Sequence, residues 1–148
     1  MLARIRTREC AKAGVFNGVT WSGDGIPLDN TYYMAVAGGT LTIPTGTHMV
    51  ACELEVKSGA TLIIKPGASL TVNGIVMNNG TFTIDNTGSL VQVKEDTKNA
   101  DLGAGTFTMK RETSALKLYD FVYWSSPVEN LNTVLPSTIG LKFHLVAK

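Results

Sequence analysis

The chain has 148 residues, 44% hydrophobic and 17% charged, with a formal net charge of +1. That is the length of one domain, and its balance excludes the strongly basic surface that nucleic acid or an acidic membrane would select. No apolar run reaches the roughly 18 residues a membrane helix needs, so no membrane insertion is expected. Cys10 and Cys52 are the only cysteines, which permits one disulfide but no framework.

Residues 1–14, MLARIRTRECAKAG, carry Arg4, Arg6, Arg8 and Lys12. They lack the 7–15-residue apolar stretch of a secretory signal. They read as a leader or a start artefact outside the domain.

Residues 15–38 are turn-rich and hold four aromatics, Phe16, Trp21, Tyr32 and Tyr33. Gly18, Gly23, Gly25, Pro27 and Asn30 punctuate them. They read as an N-terminal cap.

Residues 39–110 repeat one unit. Leu41, Leu62, Phe82 and Phe107 stand 21, 20 and 25 residues apart, and Ile43, Ile64, Ile84 and Met109 keep the same intervals. Gly46, Gly67 and Gly88 are each 21 apart. A fixed period of this size marks a solenoid, whose coils cannot bury their apolar faces singly. Inside each copy the period is 2: T-L-T-I, T-L-I-I, T-F-T-I and T-F-T-M alternate polar with apolar. Strands one coil apart run parallel. The expected fold is therefore all-β, a parallel β-helix of about 20–21-residue coils, right-handed because parallel crossovers almost always are. Three strands fit each coil. The inward series reads Leu41, Ile43, Met49, Ala51, Leu54 and Val56, then Leu62, Ile64, Leu70, Val72, Ile75 and Met77, then Phe82 and Ile84. The next strand has two readings: counting from Gly88 turns Val91 and Val93 inward, whereas matching S-L to S-L turns Leu90 inward. Cys52 falls in the inward series and reads as a small buried hydrophobe with a free thiol.

Residues 94–105, KEDTKNADLGAG, interrupt the repeat as a surface loop. Asp96, Asn99 and Asp101 do not keep the spacing of a calcium loop, so no metal and no cofactor is expected. Residues 111–148 begin with alternation through Tyr119, Phe121 and Tyr123, turn at Pro127 and Pro136, and end in the apolar stretch Leu141–Val146. They read as a C-terminal cap followed by the start of a further domain. An unpaired strand there would pair with another domain of the same protein or another chain.

Two surface features are candidates for binding. The terminal aromatics Trp21, Tyr32, Tyr33, Tyr123 and Trp124 read first as covers for the open solenoid ends. The alternative is a platform for surface glycans. Thr40 and Thr42, Thr61 with Ile63, Thr81 and Thr83, and Thr106 and Thr108 form a two-wide outward column, the T-x-T pattern of an ice-ordering face. Threonine is also simply a good solvent-facing strand residue.

Catalytic chemistry is not evident. Polysaccharide-cleaving β-helices need convergent carboxylates, or a base beside an arginine. Glu53 and Glu55 point outward two residues apart, but their expected neighbours in the next coil, Gly74 and Val76, supply no partner. His48 and His144 are isolated, and no nucleophile or metalloprotease motif occurs. No catalytic residue is assigned.

The ordered series T-W-S-G-D-G-I-P (20–27), A-C-E-L-E-V-K-S-G-A-T-L (51–62), L-T-V-N-G (70–74), N-N-G-T-F-T-I (78–84), G-S-L-V-Q-V (88–93) and Y-W-S-S-P-V (123–128) resembles the N-terminal β-solenoid region of large secreted Bacteroidota proteins. In that group such regions precede adhesion-type domains and a C-terminal type IX secretion sorting domain. The resemblance spans about residues 16–128. It implies an extracellular or cell-surface location and a non-catalytic, structural or adhesive role. Neither a sorting domain nor a secretion signal is recognisable in these residues.

Overall fold

Alternation of Thr with Leu, Ile or Phe sets the strands, and a four-residue turn sets their spacing. The computed structural model describes residues 10–93 and 103–112, with the backbone of two later strands, Leu131–Val134 and Lys142–Ala147. In chain order the strands are β1 (Lys12–Phe16), β2 (Trp21–Gly23), β3 (Tyr32–Val36), β4 (Thr40–Ile43), β5 (His48–Ala51), β6 (Glu53–Val56) and β7 (Thr61–Ile64). They continue as β8 (Ser69–Val72), β9 (Val76–Asn78), β10 (Thr81–Ile84), β11 (Ser89–Gln92), β12 (Thr106–Glu112), β13 (Leu131–Val134) and β14 (Lys142–Ala147). No helix occurs among the described residues.

The strands build the expected parallel β-solenoid. Its first face stacks β4, β7, β10 and β12; its second stacks β5, β8 and β11; its third stacks β1, β3, β6 and β9. Every neighbouring pair within these stacks is parallel. The first face keeps the register read from the repeat: Leu41, Leu62, Phe82 and Phe107 lie side by side, as do Ile43, Ile64, Ile84 and Met109. Ile43, Leu62, Ile64, Leu70, Val72, Phe82 and Ile84 are wholly buried, and with Leu54 and Val56 they form one continuous core. The rings of Phe82 and Phe107 meet edge to face at 5.2 Å.

The corner between the first and second faces repeats one turn. The amides of Thr47, Ala68 and Gly88 donate to the carbonyls of Pro44, Lys65 and Asp85. The third turn residue has positive φ each time: 75° at Gly46, 69° at Gly67 and 64° at Thr87. Gly88 is thus not the equivalent of Gly46 and Gly67; Thr87 is. Anchoring on Gly88 misplaces the next strand by one residue. Leu90 pairs beside Leu70 and packs on the core, while Val91 and Val93 face solvent.

The third face departs from the expected pattern in the second coil. Val76 and Asn78 face inward beside Leu54 and Val56, not Ile75 and Met77. Only Cys52 lies between β5 and β6, whereas residues 73–75 lie between β8 and β9. From one inward residue to the next, the corner takes three residues in the first coil, Ala51 to Leu54, and four in the second, Val72 to Val76; that one extra residue exchanges the faces of the following strand. Asn78 is then a polar side chain in an apolar column, 2% exposed. It is satisfied there: its Nδ2 donates to the Thr106 carbonyl, and its Oδ1 accepts from the Gly80 amide.

The N-terminal end is closed by an extra strand and a hairpin. β1 lies parallel to β3, and β2 pairs back on β1 in antiparallel fashion. Residues 12–14, read from sequence as leader, are therefore part of the third face. Gly14 is required by close approach: a Cβ there would run into the Gly25 carbonyl and the Pro27 ring. Phe16 packs against Trp21 at 5.5 Å between centroids.

Cys10 and Cys52 are disulfide-bonded, with Cα atoms 5.7 Å apart. Cys52 is buried as expected, but it is not a free thiol. Strand β1 carries Cys10 to it, a placement that no period in the sequence reports.

At the other end, β14 pairs antiparallel with β12 on one side and β13 on the other. The first face thus changes from parallel to antiparallel pairing. The terminal apolar stretch, expected to be an unpaired strand, is paired along both edges.

Candidate functional surfaces

The threonine column is assembled in register. Thr40, Thr61, Thr81 and Thr106 form one row across the first face; Thr42, Ile63, Thr83 and Thr108 form the other. Successive strands place these side chains about 4.8 Å apart. Thr40, Thr42, Thr81 and Thr106 are exposed, and Thr61, Ile63, Thr83 and Thr108 are half-buried. At the far side Thr108 lies opposite Val146 of β14, so further strands border the array.

The N-terminal aromatics cover the stack. Tyr32 and Tyr33 are buried, and Trp21 packs against the core. The Tyr33 hydroxyl donates to Glu55 Oε2, and the Lys12 ammonium sits 5.0 Å from the Tyr32 ring centroid. Rings held this way present little open face to a sugar. Tyr123 and Trp124 lie outside the described residues, as do Asp96, Asn99 and Asp101.

The outward carboxylates on the third face do not converge. Glu55 pairs beside Met77, not the expected Val76, and Glu53 beside Tyr33. On the second face His48 is not isolated: its Nδ1 lies 2.7 Å from Ser69 Oγ. The pair is exposed on the outer side of the second face. Among the described residues no group of three His, Cys, Asp or Glu side chains is placed to hold a metal ion.

One charged cluster is new. At the first corner Asp85 stacks between Lys65 and Lys110, with Nζ to carboxylate distances of 3.2 and 2.9 Å. Desolvation pushes the Asp85 pKa up, but hydrogen bonds and charge attraction from Lys110 and Lys65 outweigh it and hold the group below its ordinary value. Arg111 reaches into the same corner, donating to the carbonyls of Asp85, Gly88 and Lys110. Burial lowers its pKa from the ordinary value. The repeat carries the signal for this cluster: each charge follows the last apolar residue of its strand, Ile64-Lys65, Ile84-Asp85 and Met109-Lys110. The cluster ties three coils together.

With this geometry in view, comparison with family profiles gives one assignment. The profile of a domain of unknown function, DUF8693, matches residues 16–144. The chain belongs to the DUF8693 family. The match runs from Phe16 in β1 to His144 in β14, so the DUF8693 unit takes in the solenoid and the antiparallel strands that continue its first face. Comparison with curated proteins and with solved structures returns no match. Among the described residues no helix is long and apolar enough to cross a membrane.

Proposed function

We propose that this domain is a non-catalytic structural or adhesive module of a larger secreted or cell-surface protein. The observation that carries the reading is the disulfide-clasped stack. A solenoid with one continuous core is a stiff spacer, and a disulfide persists in oxidising compartments but is rare in the cytosol. The sequence motifs at 20–27 and 123–128, which resemble secreted Bacteroidota solenoids of the type IX secretion kind, support the same reading. Its partners are other domains of the same protein, or another chain, at the C-terminal end, where sheet growth has already passed to antiparallel strands.

The test is localisation and attachment of the native gene product. An antibody to this domain should label intact producing cells or their medium, with Cys10 and Cys52 oxidised, and deletion of the domain should reduce surface attachment. Recovery only inside cells with both thiols reduced would overturn the reading.

A second reading rests on the aligned threonine rows. Aligned rows of hydroxyl and methyl groups on one sheet face, interrupted at Ile63, are suited to ordering water, which makes ice binding the competing role. Thermal hysteresis of the purified domain, lost in Thr81→Lys, would favour it over adhesion. Glycan binding through the terminal aromatics is the weaker alternative, because Tyr32 and Tyr33 are buried at the start of β3.

A further inference from the structure

We propose that the Cys10–Cys52 disulfide is a redox latch on the N-terminal cap. The bond does not join neighbouring strands. Cys10 stands two residues before β1 and Cys52 immediately before β6, and β3 lies between those two strands. The latch therefore fastens the cap across the start of β3 to the coil beyond it.

Beyond the parallel pairing of β1 with β3, the cap buries little apolar surface. Its buried contributions are Gly14, Phe16 and Pro27, with Trp21 half-buried, and it leaves Val19 at 85%, Ile26 at 53% and Leu28 at 75% exposure. The stack beneath it is not dependent on β1 for its own pairing. β3 is bonded on its other edge to β6, and Met34, Val36, Leu54 and Val56 share one core with Ile43 and Ile64, to which the cap adds only Phe16 and the partly buried Trp21. A segment with few buried apolar groups opens as a unit while a continuous core stays shut. Apart from the main chain that runs from β2 to β3, the disulfide is the covalent cross-link between these two parts.

The chemistry balances with a dithiol as reductant. One reductant thiolate attacks a sulfur of the Cys10–Cys52 bond and expels the other cysteine as thiolate. The second reductant thiol then displaces the remaining cysteine. The products are two protein thiols and the oxidised, cyclic reductant. A disulfide oxidant reverses both steps. With the latch open, β1 can leave β3, and the uncovered β3 edge becomes a parallel template for another strand. In an oxidising compartment the edge is covered. This device stands whether or not the domain is adhesive.

Hydrogen exchange on the full chain tests it, oxidised, treated with dithiothreitol, and as Cys10→Ser. Expected is an at least tenfold faster exchange for amides of residues 12–16 and 21–24 in both the reduced protein and the variant. Amides of β7, β8 and β10 should be unchanged, and protection should return in the reduced wild type on reoxidation. Unchanged cap protection in the variant would overturn the latch, because the cap would hold itself. Equal loss of protection through β7, β8 and β10, or failure of the variant to fold, would also overturn it, because the bond would then be a staple for the whole domain.

Discussion

Thr87 takes in the third coil the left-handed turn position that Gly67 holds in the second, and its Oγ1 accepts a hydrogen bond from the Gly67 amide at 3.1 Å. A β-branched residue at positive φ is strained. Here the side chain offsets part of that strain by tying its turn to the turn before it.

The expected consequence is an ordering of variants at two positions. Gly67→Ala should cost about 1–2 kcal/mol, from conformation alone. Its Cβ would meet nothing closer than Thr45 Cγ2 at 4.0 Å. Thr87→Gly exchanges relief of strain for a lost hydrogen bond and a floppier unfolded chain, and should stay within about 0.5 kcal/mol. Thr87→Val keeps the strain and loses the bond, and should cost about 1–2 kcal/mol. Urea unfolding measures all three; Val equal to Gly would count against the hydroxyl's role.

The register of the third face gives a second test. Val76→Asp should destabilise by several kcal/mol, because it buries an unpaired carboxylate beneath Leu54. Met77→Asp lies on the other face of the same strand and should be far milder. On the first face Leu62→Asp and Thr61→Asp should divide in the same way, since Leu62 has a strand on either side. Similar melting temperatures within either pair would mean that the inside and outside of that strand are wrongly assigned.

These positions also mark how far the sequence carries the fold. On the first face the strands and the four-residue turns after them have constant length, so Leu41, Leu62, Phe82 and Phe107 could be aligned by counting. Counting fails where length changes without a local mark. Val72 to Val76 takes four residues where Ala51 to Leu54 takes three, and Gly88 sits one place past the left-handed turn position, which Thr87 occupies. The threonine rows were legible because they ride on the first face. The disulfide was not, since Cys10 reaches Cys52 through pairing of β1 with β3, across a sequence separation of 42. The Lys65–Asp85–Lys110 stack was legible in principle, but only to a reading that aligned corner residues as well as strand residues.

Asn78 gives a third prediction. Its side chain serves the Thr106 carbonyl and the Gly80 amide from inside the core, so it joins the third face to the start of β12. Asn78→Ala leaves both backbone groups without these partners and should cost about 2–3 kcal/mol. Asn78→Asp keeps the acceptor for Gly80 but loses the donor to Thr106 and adds a buried charge. It should be worse than Ala at neutral pH and recover as the pH falls and the carboxyl protonates. Loss of equal size at all pH values would show that the new carboxylate reaches solvent.

The last prediction concerns acid. In the folded protein Asp85 is held below its ordinary pKa by Lys110 and Lys65, against the opposing effect of burial. Its folded pKa lies under its unfolded one, so the native state favours the carboxylate. The stability it supplies is complete above the unfolded pKa of about 4 and disappears as pH falls through the folded value. Both lysines are partly exposed, with 43% and 42% of their side-chain surface open, so solvent screening keeps the contribution small. Asp85→Asn keeps the shape and removes the charge. It should lower stability near neutral pH by about 1–2 kcal/mol. Toward about pH 2 the variant and the wild type should converge, because the wild-type carboxyl is then neutral as well. Chemical denaturation across that range reads the difference directly. A gap of constant size down to the lowest pH would show that the amide is disfavoured for its shape or hydrogen bonding, and that the two lysines contribute nothing through the charge of Asp85.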